Sequence, residues 1–371
     1  DPQRFVWPVN RKQAEDQLQE FVQNRLAHFG TYQDAMVTDN GSLFHSRLSF
    51  ALNTKMLHPM EVIQAAITAA QEKEDQKIGL EQLEGFVRQV LGWREYMRGI
   101  YWAHMPQYET LNHFDHHVHL PDYYWTGDTH MNCLRVSISQ SLETAYAHHI
   151  QRLMITGNFA LLAGVHPDEV DAWYLGIYID AIQWVEIVNT RGMSQFADGG
   201  VVATKPYVSS ANYIRKMSDY CSACRYDPGK RTGEHACPFN SLYWDFLHRH
   251  RARLAGNHRL AMIYRSWDRM TDETRQALLE EGLDTPGVVV LAHHLVQQGR
   301  GRLDRAADIP VLVQPDLPAG LCEAATRHSC REFLAVRPAR RTLYFQVIVL
   351  DQHISTLLQA DIRLTDHRVM P

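Results

Sequence analysis

Three cysteines in C-x2-C-x12-C spacing, Cys221, Cys224 and Cys237, constrain this chain more than any other feature. A C-x2-C turn brings two thiolates toward one centre, and Asp227-Pro228-Gly229 and Gly233 let the chain fold a third back onto it. Three ligands need a fourth. Cys133, in Gly127-Asp128-Thr129-His130-Met131-Asn132-Cys133, is the only upstream candidate; Cys322 and Cys330 follow the block. Zinc and an iron-sulfur cluster both accept four thiolates, so the spacing leaves both open. Pro238, directly after the last cysteine of the block, leans toward iron-sulfur. Redox-active or simply buried cysteines are the plainer alternative, against which the Gly and Pro punctuation weighs.

Composition sets the frame for such a site. The 371 residues are 45% hydrophobic and 21% charged, which fits a globular chain of two or three domains and excludes a disulfide-stapled miniprotein or wholesale disorder. No apolar run reaches the roughly 18 residues of a membrane span, and Asp1-Pro2-Gln3-Arg4 carries no signal-peptide pattern. The expectation is a soluble, cytoplasmic monomer with no membrane partner. The net charge of -5 does not advertise a polyanion ligand. Locally the picture differs: Arg249, Arg251, Arg253, Arg259 and Arg265 crowd together with His248, His250 and His258, with no acid among them, and Arg215, Lys216, Arg225, Lys230 and Arg231 surround the cysteine block. Such runs are usually solvated faces, and they can also contact phosphates.

Apolar periodicity predicts helices over 10–30, 59–73, 80–97, 137–154, 167–188 and 207–217, with almost no period-two alternation before about residue 282. Residues 1–282 therefore read as an all-helical domain. From 283 to 371 short runs such as Val288-Val289-Val290-Leu291 and Phe345-Gln346-Val347-Ile348-Val349-Leu350 alternate with polar segments, which predicts a smaller α/β unit.

Gly92-Trp93-Arg94-Glu95-Tyr96-Met97-Arg98-Gly99, then Ala147-His148-His149-Ile150-Gln151-Arg152 through Thr156-Gly157-Asn158-Phe159, closely resembles the helical flavin domain of photolyases and cryptochromes. Ile179-Asp180-Ala181-Ile182-Gln183-Trp184-Val185-Glu186, Gly192-Met193-Ser194-Gln195-Phe196-Ala197-Asp198 and the 221–244 block resemble the bacterial iron-sulfur branch of that family, the (6-4) photolyases and their cryptochrome relatives. The resemblance covers residues 1 to about 280. It implies a mostly α, FAD-binding domain in which Cys133, Cys221, Cys224 and Cys237 hold a [4Fe-4S] cluster. The family's α/β antenna domain precedes its helical domain, and this chain gives a lumazine-type antenna chromophore no support.

The same resemblance distributes roles. His45-Ser46-Arg47-Leu48-Ser49 before a helical run is similar to the turn that grips the flavin pyrophosphate, where a helix N-terminus and polar side chains supply donors; His45, Ser46, Leu48 and Ser49 are thus cofactor-binding candidates. Gln89 and Arg94 lie on one helix, where Arg94 can reach phosphate or ribose. Asp180 is expected opposite the N3–H of the isoalloxazine, Glu186 beside its N5, and Asn158 in the pocket wall. A (6-4) lesion needs a proton as its bridging group is returned. His149 is the expected donor and His148 its assistant, since adjacent helical residues point about 100° apart and only one need face the site. Trp125, Trp173 and Tyr174 match the family's electron chain to the flavin, and Tyr207 and Tyr213 fall on a helix expected to face DNA. For each of these residues, simple packing or a solvated face is the alternative.

These expectations describe a (6-4) DNA photolyase acting on UV-damaged DNA. A cryptochrome with the same cofactors and no repair is the competing photoreceptor reading. An iron-sulfur nucleic-acid-binding module, such as a primase subunit, would share the cysteines and lack the flavin residues.

Overall fold

The computed structural model describes residues 5–72 and 78–283. The chain divides into two units, Asp1–Gln297 and Gln298–Pro371, and every described residue belongs to the first. The α/β unit expected at 283–371 lies outside the described residues, apart from Leu283. Among the described residues the chain is helical, joined by loops and three isolated bridges, Met36 with Ser218, Val118 with Val165 and Asp227 with Ala236, and no sheet forms.

The predicted helices are present, and their breaks carry the information. The apolar stripe Ala14, Leu18, Phe21 and Val22 is buried on the Arg11–Asn24 helix, which Asn10 caps by accepting from the Gln13 N–H at 3.0 Å. The chain kinks at Arg25 and resumes as Leu26–Tyr32. Gly30 does not stop that helix. It permits close packing on the Leu80–Arg88 helix, where an added Cβ would stand 2.8 Å from Gln82 Oε1. The stretch 137–154 is not one helix: Asn132–Thr144 ends at Ala145 in a left-handed conformation (φ 53°), and a new turn starts at His148. Ala145 accepts from Ile179 N–H at 3.0 Å, and Tyr146 packs on Trp7 with centroids 5.4 Å apart. Tertiary contacts thus break a helix that local periodicity extends. Likewise Pro167–Ile177 stops before a loop holding Asp180, Gln183–Ile187 follows it, and the last predicted helix begins only at Ala211.

Three segments are wound as π-helix: Gln89–Arg94, Arg152–Gly157 and Val188–Ser194. A π-turn costs hydrogen-bond geometry and is found mostly where function needs side chains re-aimed. All three face one cavity. Gly157 is required there, because a Cβ would meet Ser194 Oγ at 2.1 Å and Arg152 O at 2.7 Å. Behind the cavity the core is built from Leu134, Ile138, Phe159, Leu161, Leu162, Trp173, Phe239 and Phe246, all almost fully buried.

A second buried feature joins the 112–119 loop to the end of the Pro238–Arg249 helix. His116 Nε2 and His250 Nε2 are 3.1 Å apart among Phe114 and Phe246, so one ring must donate and the other accept. Burial first, then neighbouring cations, lowers His116 to about 2 and His250 to about 3. Unfolded imidazoles titrate near 6.5, so between that pH and about 3 the unfolded chain binds more protons. Stability from this pair is complete above pH 6.5 and is lost as pH falls toward 3. Urea unfolding at a series of pH values should show this acid slope, and His116→Asn should make it shallower.

Candidate active site

The cavity has a volume of ≈ 330 Å³ and adjoins a second recess of ≈ 200 Å³; Ser46, Leu48, Ser49, Phe86, Gln89, Trp93, Val185 and Asn189 line both. Its floor is an ion pair. Asp180 Oδ1 receives Arg152 Nη1 at 2.9 Å and Oδ2 receives Nη2 at 3.2 Å. Ser49 Oγ donates to Oδ2 at 2.5 Å, and Asn53 Nδ2 donates to the Asp180 carbonyl at 2.8 Å. Arg152 also donates to Ala147 O at 2.6 Å and lies 3.8 Å over the Tyr178 ring. Burial works against its charge, and Asp180 more than restores it.

Glu186 enters from the Gln183–Ile187 helix, buried, with Oε1 lacking any hydrogen-bond partner. Burial, then neighbouring Asp171, raises its pKa well above the usual carboxylate range. His148 and His149 reach the cavity because the helix breaks ahead of them. His148 caps the turn at His149–Gln151 with its own N–H held by Gln151 Oε1 at 3.0 Å, while its buried Nδ1 has no hydrogen-bond partner. His149 is solvent-exposed in the cavity yet crowded by protein. Desolvation, then Arg152 and His45, lowers its pKa to about 4; burial drives His148 well below 6.5.

His45, Ser46, Leu48, Ser49, Gln89, Asp180, Glu186, His148, His149 and Tyr174 all line the main cavity. Arg94 lines the adjoining recess, 4.8 Å over Trp184 and paired with Glu95 at 2.9 Å, with Nε and Nη2 unpartnered. Asn158 is brought elsewhere: its amide makes a closed pair with Ser209, donating to Ser209 O at 3.0 Å and accepting from Ser209 N at 3.1 Å, and it lines neither space. Sequence reasoning missed Arg47, Arg152 and Asp34, whose side chains also line the cavity. Arg152 was signalled only by its place four residues after His148.

Tyr174 packs on Trp173 (5.3 Å between centroids) and Trp173 on Tyr124 (5.3 Å), whose neighbour Trp125 is 49% exposed. Tyr174, Trp173 and Tyr124 thus form a run of contacting rings that starts at the cavity wall. Tyr207 precedes the Ala211–Met217 helix on an extended segment, a correction to the helical expectation; it is exposed, and Tyr213 on the helix is half-buried. The arginine run is also less free than its sequence suggests. Arg249 pairs with Asp245 and Arg251 with Asp268, acids from outside the run, and Arg253 donates to His113 O. Arg259 and Arg265 are exposed.

Met131, Cys133, Tyr220, Cys221, Cys224, Tyr226 and Cys237 line a separate small pocket. All four thiols are free. Among the described residues no group of three or more His, Cys, Asp or Glu side chains is placed to hold a metal ion, and the four thiols line one small pocket. No helix of the described residues is long and apolar enough to cross a membrane.

A helical domain around a deep cleft, with a cysteine pocket beside it, is what the comparisons make specific: the chain is homologous to a (6-4) photolyase. Over 276 residues it is 54% identical to the (6-4) photolyase of Agrobacterium fabrum, a match spanning 74% of this chain and 54% of that protein. The chain thus covers about half the length of that relative. An uncharacterized protein of Acanthamoeba polyphaga mimivirus is 34% identical over 117 residues, 31% of this chain and 85% of that one. Among solved structures, a class III photolyase from Agrobacterium tumefaciens aligns over 57% of this chain and 45% of its own, at 18% identity and a TM-score of 0.46. A cryptochrome of Synechocystis sp. PCC6803 aligns over 57% and 44%, at 14% identity and a TM-score of 0.47. No family profile matches the chain.

The family implies FAD, and the cavity suits it. The unpartnered Glu186 Oε1 and His148 Nδ1 point to polar groups that a ligand would satisfy, and the two adjoining spaces accommodate a long, bent molecule. Asp180→Asn should strand the Arg152 charge. Such removal of one partner from a buried pair costs about 3–5 kcal/mol, so chemical denaturation should show a large loss of stability, and the purified variant should lose flavin absorbance. Unchanged stability would show that the pair is not the cavity's support.

Proposed function

We propose that this chain carries out light-dependent repair of (6-4) photoproducts in DNA, with FAD in the cavity and a [4Fe-4S] cluster in the cysteine pocket. The observation that carries the reading is the cavity wall itself: the Asp180 carboxylate paired with Arg152, the buried acid Glu186 with its raised pKa, and the adjacent His148 and His149 stand in one space, in a chain homologous to a (6-4) photolyase. Bound and reduced, FAD supplies the photoexcited electron for cleavage.

The protein's own residues position and protonate. Asp180, paired with Arg152, would accept the isoalloxazine imide N–H, and Glu186, whose pKa burial raises, would stand at the N5 edge, where a neutral acid can donate without adding negative charge. Ser46, Leu48, Ser49 and Gln89 hold the phosphates and ribityl chain, and the unpartnered donors of Arg94 serve the recess next to them. His149, the exposed member of the pair, meets the flipped-out lesion and donates the proton that the transferred hydroxyl or amino group requires; His148 supports it from the buried side. Tyr174, Trp173 and Trp125 carry electrons from the surface to reduce the flavin. Exposed Tyr207 and half-buried Tyr213, with Arg259 and Arg265, form the DNA-contacting side.

In the cysteine pocket, Cys133, Cys221, Cys224 and Cys237 would hold the cluster; four thiols with no histidine or carboxylate lining the same pocket make a donor set that suits it. Its place between Cys133 and the 221–237 loop makes it a tie between distant segments.

Reduced protein incubated with an oligonucleotide bearing one (6-4) lesion should restore it in blue light and leave it unchanged in darkness. No light-dependent restoration, with flavin bound, would favour a photoreceptor instead. Trp173→Phe should keep flavin and slow its photoreduction by at least about tenfold, the equivalent of roughly 1.4 kcal/mol in barrier; an unchanged rate would remove the aromatic line from the mechanism.

A further inference from the structure

His45 is held in an unusual way. Its Nδ1 lies 3.0 Å from Ser42 O and its Nε2 2.9 Å from Gln33 O, so both ring nitrogens face carbonyl oxygens. A carbonyl can only accept. A neutral imidazole has one N–H and one lone pair, and can satisfy one of these contacts while setting its lone pair against the other; only the imidazolium donates to both. The ring is also stacked on His148, with centroids 4.3 Å apart and planes 15° from parallel. It stands in the cavity wall beside Asp34.

We propose that His45 is the proton-accepting residue of the cofactor cavity: its ring, clamped between the Gln33 and Ser42 carbonyls, takes up one proton from solvent when an anionic cofactor enters, and the resulting cation offsets cofactor charge and keeps His148 neutral. This rests on the reading of the cavity as the FAD site. With both ring nitrogens facing carbonyls, His45 acts on the cofactor through charge and not through a ring hydrogen bond.

The charges around the ring make such a site responsive to its ligand. Burial pushes the His45 pKa down, the two carbonyls and Asp34 push it up, and Arg25, whose Nη1 donates to His45 O at 2.7 Å, pushes it down again. His148, on the stacked face, and His149 are both lowered by His45. Arg47, next to it in the same wall, adds positive charge nearby, and its left-handed backbone (φ 58°) is a conformation that a non-glycine residue adopts at a cost. Against the lowering by burial and Arg25, an anion in the cavity would act with Asp34 and the two carbonyls to favour the charged ring, whose second N–H would then answer the second carbonyl.

The test is calorimetric titration of FAD into the full-length apoprotein at pH 7.5 in buffers of high and low ionisation enthalpy, which counts protons separately from binding. The unmodified chain should take up about one proton per FAD. His45→Asn should bind FAD more weakly and with that uptake abolished, and His149→Asn should retain it. Uptake unchanged in His45→Asn, or lost in His149→Asn, would overturn the proposal, as would zero uptake in the unmodified chain. Should His45→Asn not fold, 15N histidine spectra of the unmodified chain decide: FAD should convert one imidazole to the form protonated at both nitrogens, and no conversion would overturn the proposal. Absence of any binding heat or flavin absorbance would instead defeat the FAD reading on which the inference stands.

Discussion

The ion pair between Arg152 and Asp180 is the contact on which the cavity depends. Through its side chain and backbone, Arg152 touches Ala147, Tyr178, Asp180 and Tyr174, whose hydroxyl donates to Arg152 O at 2.6 Å; Asp180 in turn holds Ser49. The π-turn at Arg152–Gly157, the loop between Ile177 and Gln183 and the Ser46–Ser49 turn are therefore fixed by one pair of charges. A buried ion pair contributes little net stability over a well-packed apolar substitute, because both charges lose their water. What it provides is geometry: three segments far apart in sequence can close around the cavity in one register only.

Burial disfavours charge on other groups of the wall, raising the pKa of Glu186 and lowering those of His148 and His149. The cavity thus holds one fully compensated pair and several groups whose charge depends on what occupies it. A ligand that brings negative charge reverses part of that desolvation, so binding and protonation are linked. Residues with this sensitivity suit chemistry in which charge moves and a proton must follow it.

Much of the architecture was legible from apolar spacing. Ala14, Leu18, Phe21 and Val22 announce their helix, and Cys221, Cys224 and Cys237 announce their pocket. The breaks were not legible. Nothing local distinguishes Ala145 from a helical residue; its left-handed turn is imposed by Ile179, 34 positions on in sequence, and the π-turns are likewise products of packing. Motif positions such as Asp180 and Glu186 reached the cavity because their roles are read from side-chain chemistry plus resemblance. Asn158 did not, since an amide flanked by apolar residues serves equally as an internal clamp, and Ser209, its partner, is 51 residues away. Charge runs mislead for the same reason: Asp245 and Asp268, which neutralise Arg249 and Arg251, come from outside the run in the folded chain.

A crystal structure of the chain loaded with FAD tests the central claim most directly. The isoalloxazine should lie in the cavity with its imide edge on Asp180, its N5 edge toward Glu186, and the Arg152 pair intact beneath it. Flavin density outside this cavity, or an Asp180 turned away from the ring, would contradict it.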